Sequence, residues 1–252
     1  MKIKIESIDV PHLPKIYHCG PPLEAGPMPS LFYFSLSGEE SLGLDPYNQP
    51  AVFLSENGVR VFSITLPGHE GSFPHPHAIK SWGESLMEGK NIIEEFSSVC
   101  SAALDRLIEC GYVDPTFIAA AGLSRGAYAA TYLTAHDKRI KTVLGFAPLT
   151  RFETIKDFND FADMPLLATS ALENFVSELG HVNLRFYIGN HDTLVNTSAC
   201  FFFIQRLTKF GYALKRKFPP VELIIYPSIG HKGHGTPPEI FRDGADWLLT
   251  KL

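Results

Sequence analysis

Apolar residues recur along this chain with two different periods. Runs of strand length, rich in β-branched and aromatic residues, stand at 31–36 (LFYFSL), 59–64 (VRVFSI), 116–121 (TFIAAA), 141–146 (KTVLGF), 184–188 (LRFYI) and 221–226 (VELIIY). Each run is nearly continuous instead of alternating, the pattern of a strand covered on both faces. Between them, segments at 47–56, 84–110, 125–136, 197–216 and 237–250 carry helical spacing. In the second, Ile92, Ile93, Phe96, Val99, Ala103, Leu104, Leu107 and Ile108 follow at steps that keep them on one helix face. Strand and helix alternate, so the pattern predicts an α/β fold: a mostly parallel, twisted sheet with helices on both faces. The opening MKIKIESIDV alternates charged residues with isoleucine and predicts an added antiparallel edge strand. Six prolines from Pro11 to Pro29 exclude a long helix there and predict an edge strand or an extended connection.

A chain of 252 residues is long enough for one large α/β domain, and no repeat or charge block marks a linker. One domain is therefore expected over 1–252, with 148–182 a short excursion beside the pocket. Composition is that of an ordinary globular protein. A net charge of -5 repels phosphate backbones and excludes nucleic acid as an expected partner. No run of 18 apolar residues occurs, so no membrane span and a soluble, cytoplasmic protein are expected. Cys19, Cys100, Cys110 and Cys200 form no C-x-x-C pair and read as buried free thiols.

Candidate chemistry concentrates at GLSRG, residues 122–126, where a strand run gives way to a small-residue helix pattern. A serine held on so sharp a strand-to-helix turn has its Oγ lifted clear of the sheet. The flanking positions 122 and 126 must then be glycine, because a side chain at either would strike a neighbouring strand or helix. The helix that follows points N–H groups and a partial positive charge toward any oxyanion forming at the serine. The competing reading is a hydroxyl on a structural turn.

From these residues outward the chain resembles the α/β-hydrolase superfamily, particularly small esterases and the hydrolase domains of prolyl-oligopeptidase-like enzymes. The likeness rests on GLSRGA, LPGHEGS (66–72), GFAP (145–148), GNHDTLV (189–195) and YPSIGH (226–231), the last preceding a helix that ends in WLL. It implies a minimal cap, no cofactor, a small-molecule substrate and the chain order serine, acid, histidine. Ser124 is then the nucleophile and Asp192 the acid, the alternative for Asp192 being an Asx turn or helix cap. His231 and His234 compete for the base. Distance from the preceding strand favours His231, and distance to the terminal WLL favours His234; the strand carries more weight, because the sheet fixes the active edge. For the oxyanion the resemblance implies the N–H of Arg125 and, from the SGEE loop, that of Glu39. The activity implied is acyl-enzyme hydrolysis of a carboxylic ester; small-peptide hydrolysis and ligand binding without catalysis are the alternatives.

Other features change the picture less. The histidines at 69, 75 and 77 and the HKGH stretch lack an H-E-x-x-H spacing, so no metal is expected. Arg125 is expected to pair with a neighbouring carboxylate such as Glu39 or Glu40, the alternative being an acidic group on the substrate. Phe152, Phe158, Phe161, Met164, Leu166 and Leu167 are expected to line the pocket, some of them serving instead as apolar faces of short covering helices. The triplet Phe201, Phe202 and Phe203 exceeds what one buried helix face needs, so core burial and a homo-oligomer contact both stand as readings.

Overall fold

A computed structural model describes residues 3–71, 73–75, 77–155, 158 and 165–252. Eight strands form one sheet: β1 (Glu6–Ile8), β2 (Ile16–Cys19), β3 (Met28–Phe34), β4 (Arg60–Ser63), β5 (Val113–Leu123), β6 (Thr142–Phe146), β7 (Asn183–Gly189) and β8 (Val221–Tyr226). Their spatial order is β1-β2-β4-β3-β5-β6-β7-β8. The pairs β1–β2 and β2–β4 are antiparallel, and every pair from β4 through β3 to β8 is parallel. The alternating N-terminus supplies the edge strand expected of it, and the proline-rich segment contributes β2.

The helices are α1 (Gly38–Gly43), α2 (Gln49–Glu56), α3 (Ala78–Met87), α4 (Ile92–Glu109), α5 (Arg125–His136), α6 (Pro165–Thr169), α7 (Val176–Leu179), α8 (Thr197–Ala213) and α9 (Pro238–Leu249). The apolar stretch read as one helix over 84–110 is two. Gly89 adopts a left-handed φ of 74°, and the Asn91 side chain starts α4 afresh by accepting the Glu94 N–H at 3.2 Å. Apolar periodicity runs through such a break because both helices cover the same core.

That core lies on both faces of the sheet. On one, Trp82, Tyr128, Phe152, Phe158, Phe186 and Phe203 pack around α5 and α8; on the other, Tyr33, Leu54, Phe146, Tyr187, Phe241 and Trp247 pack under α2 and α9. A third group, including Phe32, Phe62 and Phe96, fills the space beneath α4. The continuous apolar runs follow from this two-sided covering: successive residues point to opposite faces, and both faces are dry.

The proline-rich connection is ordered by one side chain. Arg60, fully buried at the start of β4, donates from Nε to Pro21 O at 3.1 Å and from Nη1 to Gly26 O at 3.0 Å. Its guanidinium also reaches the carbonyls of Pro22 and Tyr112. Proline offers acceptors without donors, so a multi-donor cation suits a segment that can build no ladder with itself.

Candidate active site

The parallel register sets the site's position. Phe34 of β3 lies opposite Gly122 of β5, and Gly122 opposite Gly145 of β6. The residues that follow each strand therefore emerge side by side at one edge of the sheet. Ser124 sits on the turn between β5 and α5 with φ 56° and ψ −115°, backbone angles that only structural compulsion holds in a non-glycine residue. A Cβ on Gly122 would come 2.2 Å from the Gly126 carbonyl carbon, and one on Gly126 would come 1.9 Å from Phe34 O. Both glycines are thus required by backbone contact.

Asp192 lies in the loop between β7 and α8 and is buried. Its Oδ1 accepts the N–H groups of Leu194 at 2.9 Å and Val195 at 3.1 Å, an Asx turn that fixes the carboxylate. The Asx turn leaves Oδ2 free to face a histidine. That histidine is His234: its Nδ1 stands 2.7 Å from Asp192 Oδ2, and its Nε2 stands 2.9 Å from Ser124 Oγ. With a carboxylate as neighbour, Nδ1–H donates to Asp192 and Nε2 accepts the serine hydroxyl proton.

The expectation for His231 is corrected here. The chain after β8 doubles back, with Ile229 and Gly235 forming an antiparallel bridge in which Gly235 N–H donates to Ile229 O at 2.8 Å. His231 falls at the exposed end of this small hairpin and lies on the rim of the cavity, whereas His234 returns to the sheet edge. Distance along the chain from the strand therefore overstates how far His234 lies from it in space. Two contacts hold the loop down: Thr193 N–H donates to Lys232 O at 2.9 Å, and Tyr226 Oη–H donates to Gly235 O at 3.1 Å.

The loop after β3 differs from expectation as well. Glu39 does not line the cavity beside Ser124; it lies two residues into α1, against a separate depression shared with Ile3 and Ile5. Because β3 ends at Phe34, the residues level with the nucleophile are Ser35 and Leu36, and both line the cavity. Their N–H groups donate to Ser41 Oγ at 3.1 and 2.9 Å, which shapes the loop. The serine-rich SLSGEES segment is the only sequence signal of that arrangement. Arg125, whose N–H opens α5, lines the same cavity.

Neither Glu39 nor Glu40 pairs with Arg125. Its Nη2 instead lies 3.1 Å from His69 Nε2, and the guanidinium carbon is 5.6 Å from the Trp82 ring centre. Burial and the neighbouring Arg125 charge pull His69 down to about 4, so it stays neutral, with Nδ1–H donating to Pro67 O at 3.3 Å and Nε2 accepting from arginine. Glu40 serves another loop, accepting the Phe73 N–H at 2.9 Å and facing His75 Nε2 at 2.7 Å. Burial opposes its charge, but bonds from His75, Ser37 and the Phe73 N–H hold the carboxyl below its usual range.

The cavity beside Ser124 has a volume of about 380 Å³. Leu36, Pro46, Tyr47, Leu123, Leu194 and Phe241 give it mostly apolar walls. Phe152, Phe158 and Leu167, expected here, are instead fully buried in the core around Trp82; Phe161, Met164 and the Leu166 side chain lie outside the described residues. Of the four cysteines, Cys110 is exposed and the other three are buried, all as free thiols. Among the described residues no group of three or more histidine, cysteine or acidic side chains is placed to hold a metal ion, and no helix is long and apolar enough to cross a membrane.

Sheet order, nucleophile turn and histidine loop can be set against known structures. A protein of Thermus thermophilus superposes with a TM-score of 0.75 at 19% identity, over 99% of this chain and 98% of the other. A cold-adapted esterase from an Arctic intertidal metagenomic library gives 0.67 at 20% identity, over 99% and 94%.

The chain has the α/β-hydrolase fold.

The same α/β-hydrolase core superposes on a putative dipeptidyl aminopeptidase IV from Bacteroides ovatus, with a TM-score of 0.70 at 16% identity, covering 99% of this chain. There it spans about a third (35%) of the longer protein's length. No family model matches the sequence, and no curated protein matches it. The likeness therefore lives in the backbone, as it does for many divergent members of this fold.

Proposed function

We propose that the protein is a serine hydrolase that cleaves carboxylic esters through an acyl-enzyme, with Ser124 as nucleophile, His234 as general base and Asp192 as its orienting acid. The observation carrying this reading is the unbroken relay from Asp192 Oδ2 through His234 to Ser124 Oγ, with links of 2.7 and 2.9 Å. A free serine hydroxyl is a weak nucleophile at neutral pH, and a positioned imidazole removes that obstacle. His234 Nε2 takes the proton as Oγ attacks the ester carbonyl, and the buried Asp192 steadies the imidazolium that results. The Arg125 N–H, at the positive end of α5, receives the developing oxyanion. His234 then protonates the departing alcohol, and the acyl group stays on Ser124. In the second half a water gives its proton to His234 and attacks the acyl carbon; as the acid leaves, His234 returns that proton to Ser124 Oγ and the resting pair is restored.

The apolar walls suit an ester whose acyl or alcohol group is a short hydrocarbon. Small-peptide hydrolysis is a second reading, favoured by the superposition on the core of the larger peptidase-like protein. A fluorophosphonate probe tests the chemistry: the wild type is labelled and Ser124→Ala is not, whereas an unlabelled, folded wild type overturns the proposal. A panel of p-nitrophenyl acyl esters and aminoacyl arylamides separates the two substrate classes, and turnover of the arylamides alone replaces the ester reading with the peptide one.

A further inference from the structure

Helix α8 and the turn after it are chemically unlike the rest of the surface. Residues 193–221 contain Arg206, Lys209, Lys215, Arg216 and Lys217, five of the chain's 22 cations, and none of its 27 carboxylates. The whole chain is net -5, so this face opposes the overall charge. Interleaved with the cations are large apolar groups left in water: Phe201 is 45% exposed, Phe202 52%, Tyr212 58%, Leu214 51% and Phe218 89%. Only Phe203 of the phenylalanine triplet enters the core. At about 100° per residue, Phe201, Phe202, Arg206, Lys209 and Tyr212 fall within an arc of about 140° on α8, so they share its outward side.

The positive field extends past the helix. His181 is held below its ordinary value by burial and then by Lys138, Lys141 and Arg216, which brings cations from the end of α5 to the same corner. Of the carboxylates on the elements packed against α8, Glu173 pairs with Arg151 and Glu222 with Arg185, while Glu178 lies beside Lys138 and offsets part of that one cation's charge.

We infer that this face docks the protein onto an anionic lipid surface. Exposed aromatic and aliphatic groups among lysines and arginines, on one side of a helix, are what interfacial binding needs: the cations are drawn to lipid phosphates, and the rings enter the headgroup boundary. Charge decides against a second copy of the chain, because pairing this face with itself sets cation against cation. It also disfavours an extended polyanion, which would run beyond the patch onto a net acidic surface, whereas a planar bilayer meets this face alone. Leu194, three residues before α8, lines the cavity beside Ser124, so a membrane held on the first turns of the helix lies near the site.

The full chain is tested by co-sedimentation with vesicles of phosphatidylcholine alone and of phosphatidylcholine with phosphatidylglycerol. The wild type is expected to sediment with the anionic vesicles at low salt, to be released by high salt, and to ignore the neutral ones. Each cation removed weakens anionic-vesicle binding about fivefold, so Lys215→Ala/Lys217→Ala is expected to lose about twentyfold or more. Phe202→Ser/Phe218→Ser is expected to bind more weakly than wild type at equal charge. Both double variants alter exposed positions, and unchanged thermal melting confirms that they fold. Three outcomes overturn the inference: wild type that stays in the supernatant with anionic vesicles at low salt, charge variants that bind as wild type does, or a face that captures only a second copy, an acidic polypeptide or an oligonucleotide.

Discussion

Two glycine-bearing turns meet at the candidate active site, and they are held in place by different means. The turn at Ser124 is fixed locally: its glycines touch backbone within β5, α5 and the adjoining β3, and the serine between them takes a left-handed φ. The loop bearing His234 is fixed at a distance. Its conformation depends on the Ile229–Gly235 bridge, on Thr193 reaching Lys232 O, and on Gly233, where a Cβ would lie 2.2 Å from His191 O. A motif six residues long can encode the first arrangement. The second is spread over two segments, 191–193 and 229–235, and no short pattern contains it.

This contrast can be broken most sharply at the reacting groups. Ser124→Ala and His234→Ala are expected to lower kcat on a p-nitrophenyl ester by about 10⁴-fold or more, while His231→Ala, at the rim, stays within a few-fold of wild type. Steady-state kinetics on the three variants decides whether the hairpin geometry or the chain spacing identifies the base.

The glycines separate stability from activity. Gly126→Ala drives a Cβ into Phe34 O and is expected to cost about 4 kcal/mol or more, seen as a collapse of the denaturation midpoint. Gly233→Ala also forces a side chain onto a φ of 74°, but the strain falls on a surface loop that can shift. Its expected cost is about 2 kcal/mol, with kcat reduced about 100-fold because His234 moves away from Ser124. A Gly233→Ala variant that loses stability but keeps its turnover would erase the distinction.

A smaller effect follows from His69. Its folded value of about 4 lies below the ordinary 6.5, so the unfolded chain binds the proton more readily. The stability His69 contributes is fully present above about pH 6.5 and is lost as pH falls from there toward 4. His69→Gln keeps an acceptor for Arg125 and removes the titration; its urea midpoint is expected to fall less steeply than wild type over that window. His18, also held low by burial, keeps a residual slope in both proteins. The mildest change is Thr193→Val, which loses only the hydroxyl bond to Lys232 O and is expected to cost about 1 kcal/mol while barely moving turnover.

The same distinction explains what was legible beforehand. The parallel sheet, its helical covering and the nucleophile turn follow from apolar periodicity and local steric need, and the strand at 221–226 and the helix at 125–136 fall where those rules put them. The position of Asp192 at the sheet edge was legible for a related reason, since it closes its own Asx turn. The histidine beside Ser124 was expected at 231 and stands at 234, because chain spacing measures contour length whereas a bridge at Ile229 shortens the path in space. Glu39 was misplaced because Ser37 caps a helix there, its side chain accepting the Glu40 N–H; the S-x-x-E spacing of a capping box was the signal that SLSGEES carried. The pairing of Arg125 with His69 was hidden too, because attraction between charges favoured a carboxylate; burial made an uncharged imidazole the acceptor instead.

Arg60 shows how little redundancy one margin of the molecule has. Four carbonyl oxygens, from Pro21, Pro22, Gly26 and Tyr112, converge on a single planar group, and a lysine's compact ammonium cannot fan out to replace it. A residue far from any reacting atom thus becomes the keystone of the sheet's antiparallel flank, and its identity is dictated by the prolines that surround it.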